Sequence, residues 1–116
     1  LSEVLWVEDA DQLRDLIETE DQVVVDFTAP ARCIPCQRFA PHFDKAAETA
    51  SVSSDMLGRT TFVAVDVDKA DWAVVDYGVR GVPTVKLFRN GQFVTDLAKT
   101  PQDRTVIKFL AEIRNA

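Results

Sequence analysis

The run Gln22-Val23-Val24-Val25-Asp26-Phe27-Thr28 constrains the fold more than any other stretch of this chain. Its apolar, β-branched residues are continuous rather than alternating, the pattern of a strand covered on both faces. Such a strand is predicted to lie centrally in a sheet, with helices above and below it. The flanking sequence supplies both. Val4-Leu5-Trp6-Val7 reads as a short strand, and Asp9 or Asp11 caps a helix with Leu13, Leu16 and Ile17 on one face. From Cys33 to about Ser51 a helical pattern turns Phe39, Phe43, Ala46, Ala47 and Ala50 inward, and Pro41 is expected to kink it. A polar connection carrying Gly58 leads to a second buried strand over 61–67, and a short helix from about Ala70 to Tyr77 stops at Gly78. Strands over 84–88 and 92–95 flank Asn90-Gly91, a strong hairpin signal. Thr100 followed by Pro101 is expected to open a last helix whose inner stripe is Val106, Ile107, Leu110 and Ile113. The order β-α-β-α-β-α-β-β-α predicts an α/β fold, a single mixed central sheet of about five strands flanked by four helices.

The 116 residues suit one domain, 1–116, with a core that needs no staple or metal. Thirteen Lys and Arg against nineteen Asp and Glu give a formal net charge of -6, the wrong sign for a phosphate-binding surface, so no nucleic-acid partner is expected. No apolar stretch approaches the roughly 18 to 20 residues that cross a bilayer, and no secretory-type signal opens the sequence. A soluble, cytoplasmic protein acting as a monomer without membrane association is the expectation.

Cys33-Ile34-Pro35-Cys36 contains both cysteines of the chain. A bridge across so small a loop constrains the unfolded chain little, so the pair is read as reactive rather than structural. Its chemistry is dithiol and disulfide exchange: one thiolate attacks a partner's disulfide, and a second thiol one helical turn away expels the partner by closing the ring. A helix N-terminus stabilises the thiolate, which makes Cys33 the attacking residue. Cys36, one turn inside and more buried, is the resolving residue. Asp26 stands in an otherwise apolar strand, where an unpaired carboxylate is costly and tends to take up a proton. A metal is not expected, because two cysteines and the single histidine, His42, fall short of a tetrahedral ligand set. Trp6 and Trp72 are assigned to packing or surface.

These elements stand in the order of a known family. Val-Val-Asp26-Phe27, Cys33-x-Pro35-Cys36, the helix proline Pro41, Tyr77-Gly78-Val79-Arg80-Gly81-Val82-Pro83-Thr84 and Phe88-Arg89-Asn90-Gly91 resemble a thioredoxin almost end to end. The resemblance implies a thioredoxin fold and reduction of protein disulfides through a mixed disulfide. It implies no bound cofactor, with electrons from an NADPH-dependent flavoprotein reductase of the thioredoxin-reductase type. It makes Asp26 the general acid/base for Cys36, acting through water. It also makes Pro83 a cis proline facing the dithiol, and gives the Val82 backbone a role in pairing with an extended substrate segment. Two other readings share the fold: a binding subunit of a larger complex, and an oxidant or isomerase. Pro35 before the second cysteine resembles the reducing members.

The chain also departs from that family. Arg32, Ile34 and Thr28 stand where thioredoxins usually have tryptophan, glycine and a second aromatic, and one additional residue separates Asp26 from Cys33. Ala64 aligns with a lysine that family members often place near the buried aspartate, and Lys99 with a glycine of the docking surface. Arg32 and Lys99 are therefore expected to make the face around the dithiol cationic and to favour acidic disulfide-containing partners, with Arg32 favouring the Cys33 thiolate and Ile34 and Pro35 lying at the contact.

Overall fold

A computed structural model describes residues 3–97 and 105–116. The elements are β1 (Val4–Trp6), α1 (Ala10–Thr19), β2 (Gln22–Thr28), α2 (Ile34–Ala50), β3 (Thr60–Asp66), α3 (Trp72–Tyr77), β4 (Thr84–Arg89), β5 (Gln92–Leu97) and α4 (Val106–Asn115). They form one five-stranded sheet in the order β1-β3-β2-β4-β5. β2 lies at its centre, parallel to β3 and antiparallel to β4, and all seven of its residues are buried. Continuous apolarity therefore has the expected cause: Val24 packs toward α2 and α4 on one face, and Val23, Val25 and Phe27 pack toward α1 and α3 on the other.

Local chemistry sets the boundaries. Of the two candidate caps of α1 it is Asp9 that serves, its carboxylate accepting from Asp11 N at 2.8 Å. α3 ends at Gly78, whose φ of 66° lies in the left-handed region. Asn90 and Gly91 have φ of 54° and 80°, positive at both central positions as a twisted two-residue hairpin requires. Pro41 falls inside α2, which continues through it to Ala50.

Three details differ from the sequence expectation. The polar connection contains a 3-10 turn, Met56–Arg59, which buries Leu57 and is capped by Asp55. The described last helix is capped by Thr105, whose backbone is extended and whose hydroxyl accepts from Lys108 N at 3.1 Å; Thr100 and Pro101 lie outside the described residues. Its inner stripe is Phe109, Leu110 and Ile113 with Val106 packed beside them, whereas Ile107 is 80% exposed. With Thr105 as cap, Val106, Phe109, Leu110 and Ile113 follow three-to-four spacing, and Ile107 falls outside that arc.

Candidate active site

β2 and β3 are parallel, so the loops that follow them emerge at the same edge of the sheet. The segment before the antiparallel β4 returns to that edge. Here the chain brings together Cys33, Cys36, Val82 and Pro83.

Cys33 is the cap of α2, with extended backbone and a sulfur that accepts from Cys36 N at 3.1 Å. It does for this helix what a serine or aspartate oxygen commonly does, while Pro35 in the first turn needs no acceptor for its nitrogen. Ala29 O accepts from the backbone nitrogens of Arg32 and Cys33, and Gln37 Nε2 donates to Pro30 O at 2.9 Å, so the incoming loop is tied to the helix it feeds. The two cysteines are joined as a disulfide, their Cα atoms 5.2 Å apart.

Cys36 is 1% exposed and Cys33 9% exposed, the order anticipated from their places in the helix. Cys33 is nevertheless more enclosed than an open nucleophile, because Val67 and Val82 pack against it and Val82 O lies 3.7 Å from its sulfur. Ile34, beside it, is exposed. The Val82–Pro83 peptide is cis.

Asp26 lies in register with Ala64 on β3 and Val85 on β4. It is 3% exposed, and its Oδ1 has no hydrogen-bond partner. Burial, reinforced by the negative charge of Asp44, pushes its pKa up from the ordinary carboxylate range to about 7. Asp26 and Cys36 line a single cleft of about 500 Å³, so the two residues border the same space.

The sequence pattern that defines the thioredoxin family matches residues 4–112. The chain belongs to the thioredoxin family. It is 34% identical over 94 residues to the thioredoxin of Haemophilus influenzae, covering 81% of each chain. It is 32% identical over 108 residues to the thioredoxin of Synechocystis, covering 90% of this chain and 94% of that one. Among solved structures, the thioredoxin of Malassezia sympodialis superposes with a TM-score of 0.78 at 26% identity, over 99% of this chain and 91% of that one. This thioredoxin is a thiol-disulfide oxidoreductase whose active pair is Cys33 and Cys36.

The cations expected around the dithiol of this thioredoxin are Arg32 and Lys99. The Arg32 guanidinium is exposed, but its Nε and Nη2 donate to the Asp68 carboxylate at 2.9 to 3.1 Å, so a carboxylate already accompanies that charge. Lys99 lies outside the described residues. The second described cation at this edge is Arg80, which shares with Arg32 a pocket of about 280 Å³ floored by Val67, Val79 and Val82.

Asp44 escaped the sequence reading, and Trp6, assigned there to packing or surface and 56% exposed, was not linked to Asp26, although both line its cleft. Asp44 had a signal, since Cys36, Ala40 and Asp44 follow at four-residue spacing along one helix face. Trp6 had none, because its place depends on the pairing of β1 with β3, which sets Trp6 opposite Ala64. Among the described residues no group of three or more His, Cys, Asp or Glu could hold a metal ion.

Proposed function

We propose that this thioredoxin reduces protein disulfides, with Cys33 as nucleophile, Cys36 as resolving thiol and Asp26 as the proton acceptor for Cys36. In the reduced protein the Cys33 thiolate attacks one sulfur of the target disulfide. A Cys33–target bond forms and the other target sulfur leaves as thiolate. Cys36 passes its proton to Asp26, through water in the shared cleft, and attacks the Cys33 sulfur; the target departs reduced and the Cys33–Cys36 disulfide remains. Two electrons then return this disulfide to the dithiol. We assign them to an NADPH-dependent flavoprotein reductase of the thioredoxin-reductase type.

The observation that carries this reading is the unequal burial of two bonded cysteines at a helix mouth, with the inner one and a carboxyl that titrates near 7 lining one cleft. The Val82 backbone at the cis peptide is suited to pair with an extended target segment, flanked by Pro83, Ile34 and Pro35. Arg32 and Arg80 beside it favour targets with acidic residues near the disulfide. A reducing role suits a reducing compartment, and we assign the protein to the cytoplasm as a soluble monomer of one domain.

The test is a Cys36→Ser variant incubated with a disulfide-containing protein. It accumulates a mixed disulfide through Cys33, while Cys33→Ser yields none. If the wild type reduces no protein disulfide even with a chemical reductant supplied, a binding subunit is the correct reading; a strongly oxidising potential against glutathione indicates an oxidant or isomerase.

A further inference from the structure

We infer that the cleft between the β1-β3-β2 row and α2 is a binding site for an alkylammonium group, held by Asp26 at its inner wall and Asp44 on α2 against the apolar surfaces of Trp6, Pro41 and Phe43.

The sheet register builds this site. Trp6, Ala64 and Asp26 lie side by side across three strands, and the methyl of Ala64 leaves the space between its neighbours open. A liquid-like water occupies about 30 Å³, so a cleft of about 500 Å³ is far larger than one relay water requires. Two carboxylates with apolar surface between them match a methylene chain ending in a positive charge. Trp6, 56% exposed, adds an aromatic surface for the cation.

The buried carboxyl itself points to a ligand. Asp26 Oδ1 is buried without a hydrogen-bond partner, a state that costs free energy unless a proton or a cation compensates it. No lysine or arginine lines the cleft among the described residues. A hard divalent ion would need several converging oxygens, and these apolar walls do not provide them. An ammonium needs only one or two carboxylates.

The charge arrangement gives binding a pH signature. Asp26 meets Ala64 from β3, Val85 from β4, Trp6 from the β1 end of its row, and Cys36 and Asp44 from α2; of these described groups Asp44 alone is charged, and it is negative. A bound ammonium favours the ionised form of Asp26, and by linkage the ionised form favours the ammonium. Affinity therefore rises with pH as Asp26 ionises near pH 7.

The test uses the oxidised protein, so it is independent of the exchange roles assigned above. Binding of 1,5-diaminopentane is measured by titration calorimetry at pH 6 and pH 8, with 1-pentanol as uncharged control and an extended peptide with one central lysine as a second arm. The diamine binds, 1-pentanol does not, and affinity is about tenfold higher at pH 8, because the ionised fraction of a group titrating near 7 rises about that much over the interval. Tighter binding of the peptide than of the diamine makes the ligand a partner's lysine; the reverse makes it a free amine. Ala64→Lys, which sets a cation in the same row, abolishes binding, and Asp44→Asn on the exposed face of the helix weakens it about fivefold or more. Absence of binding by both ammonium probes, equal binding of 1-pentanol, or an affinity unmoved by pH or by both substitutions in folded protein overturns the proposal.

Discussion

A carboxyl at the centre of a sheet escapes an unpaired charge through a partner or a proton, and at Asp26 the proton is the available route. Its pKa of about 7 against an ordinary 3.8 means that the native state holds a proton the unfolded chain releases. Stability therefore falls as pH rises from about 4 to about 7 and levels off above, by on the order of 4 kcal/mol for a shift of roughly three units. Urea denaturation of oxidised Asp26→Ala is expected to show a protein a few kcal/mol more stable than wild type at pH 8, with this part of the pH slope gone. An unchanged slope would remove Asp26 as the buried acid. Arg32 presents the opposite situation, a cation already engaged by Asp68. Asp68→Asn is expected to speed exchange with an acidic protein target at low salt and to leave a small neutral disulfide unaffected, the gain vanishing as salt is added. Equal acceleration of both substrates would contradict a docking role for the charge. Cys33, Cys36 and Asp26 were legible because each stands out against its immediate neighbours. The Arg32–Asp68 pair was not, since only the fold joins residues 36 apart.

The helix that carries the dithiol is anchored at its far side by aromatic packing. The Phe43 ring meets those of Phe39, Phe62 and Phe109 at centroid distances of 5.5 to 6.2 Å, joining α2 to β3 and α4. Phe43→Ala is expected to cost about 3 to 5 kcal/mol in chemical denaturation, because three rings lose a common neighbour. A loss below about 1 kcal/mol would place the core elsewhere. Gly91, at φ of 80°, is a different kind of constraint. Gly91→Val is expected to destabilise the hairpin by about 1 to 2 kcal/mol through backbone conformation, and a neutral effect would contradict the turn geometry. Most elements could be read from periodicity and turn chemistry. In α4 the phase could not, because Ile107 and Phe109 are both apolar and packing against α2 and the sheet decides which faces the core. The 3-10 turn at Met56–Arg59 was hidden by its length, one turn being too short for a periodic signal.

Across the whole molecule, the strand order places reactive groups and anchoring groups at opposite edges of the sheet. At the edge away from the dithiol, Gln22 is buried; it donates to Thr60 Oγ1 at 2.8 Å and accepts from Arg89 Nε at 2.9 Å. Arg89 Nη1 also donates to Ala116 O at 3.0 Å, so one guanidinium joins β2, β4 and the end of α4. No sequence pattern indicated this, because Gln22 opens a strand whose other residues account for the hydrophobic signal. At the reactive edge, the account rests on one asymmetry: Cys33 at the helix mouth forms the nucleophilic thiolate, and Cys36 stays protonated until a mixed disulfide forms. Competitive alkylation of the freshly reduced protein with iodoacetamide, read by mass spectrometry at pH 7, tests it most directly. The account predicts modification of Cys33 at least about tenfold faster than Cys36, as an anion-stabilising helix terminus implies; equal labelling of the two sulfurs, or Cys36 reacting first, would contradict it.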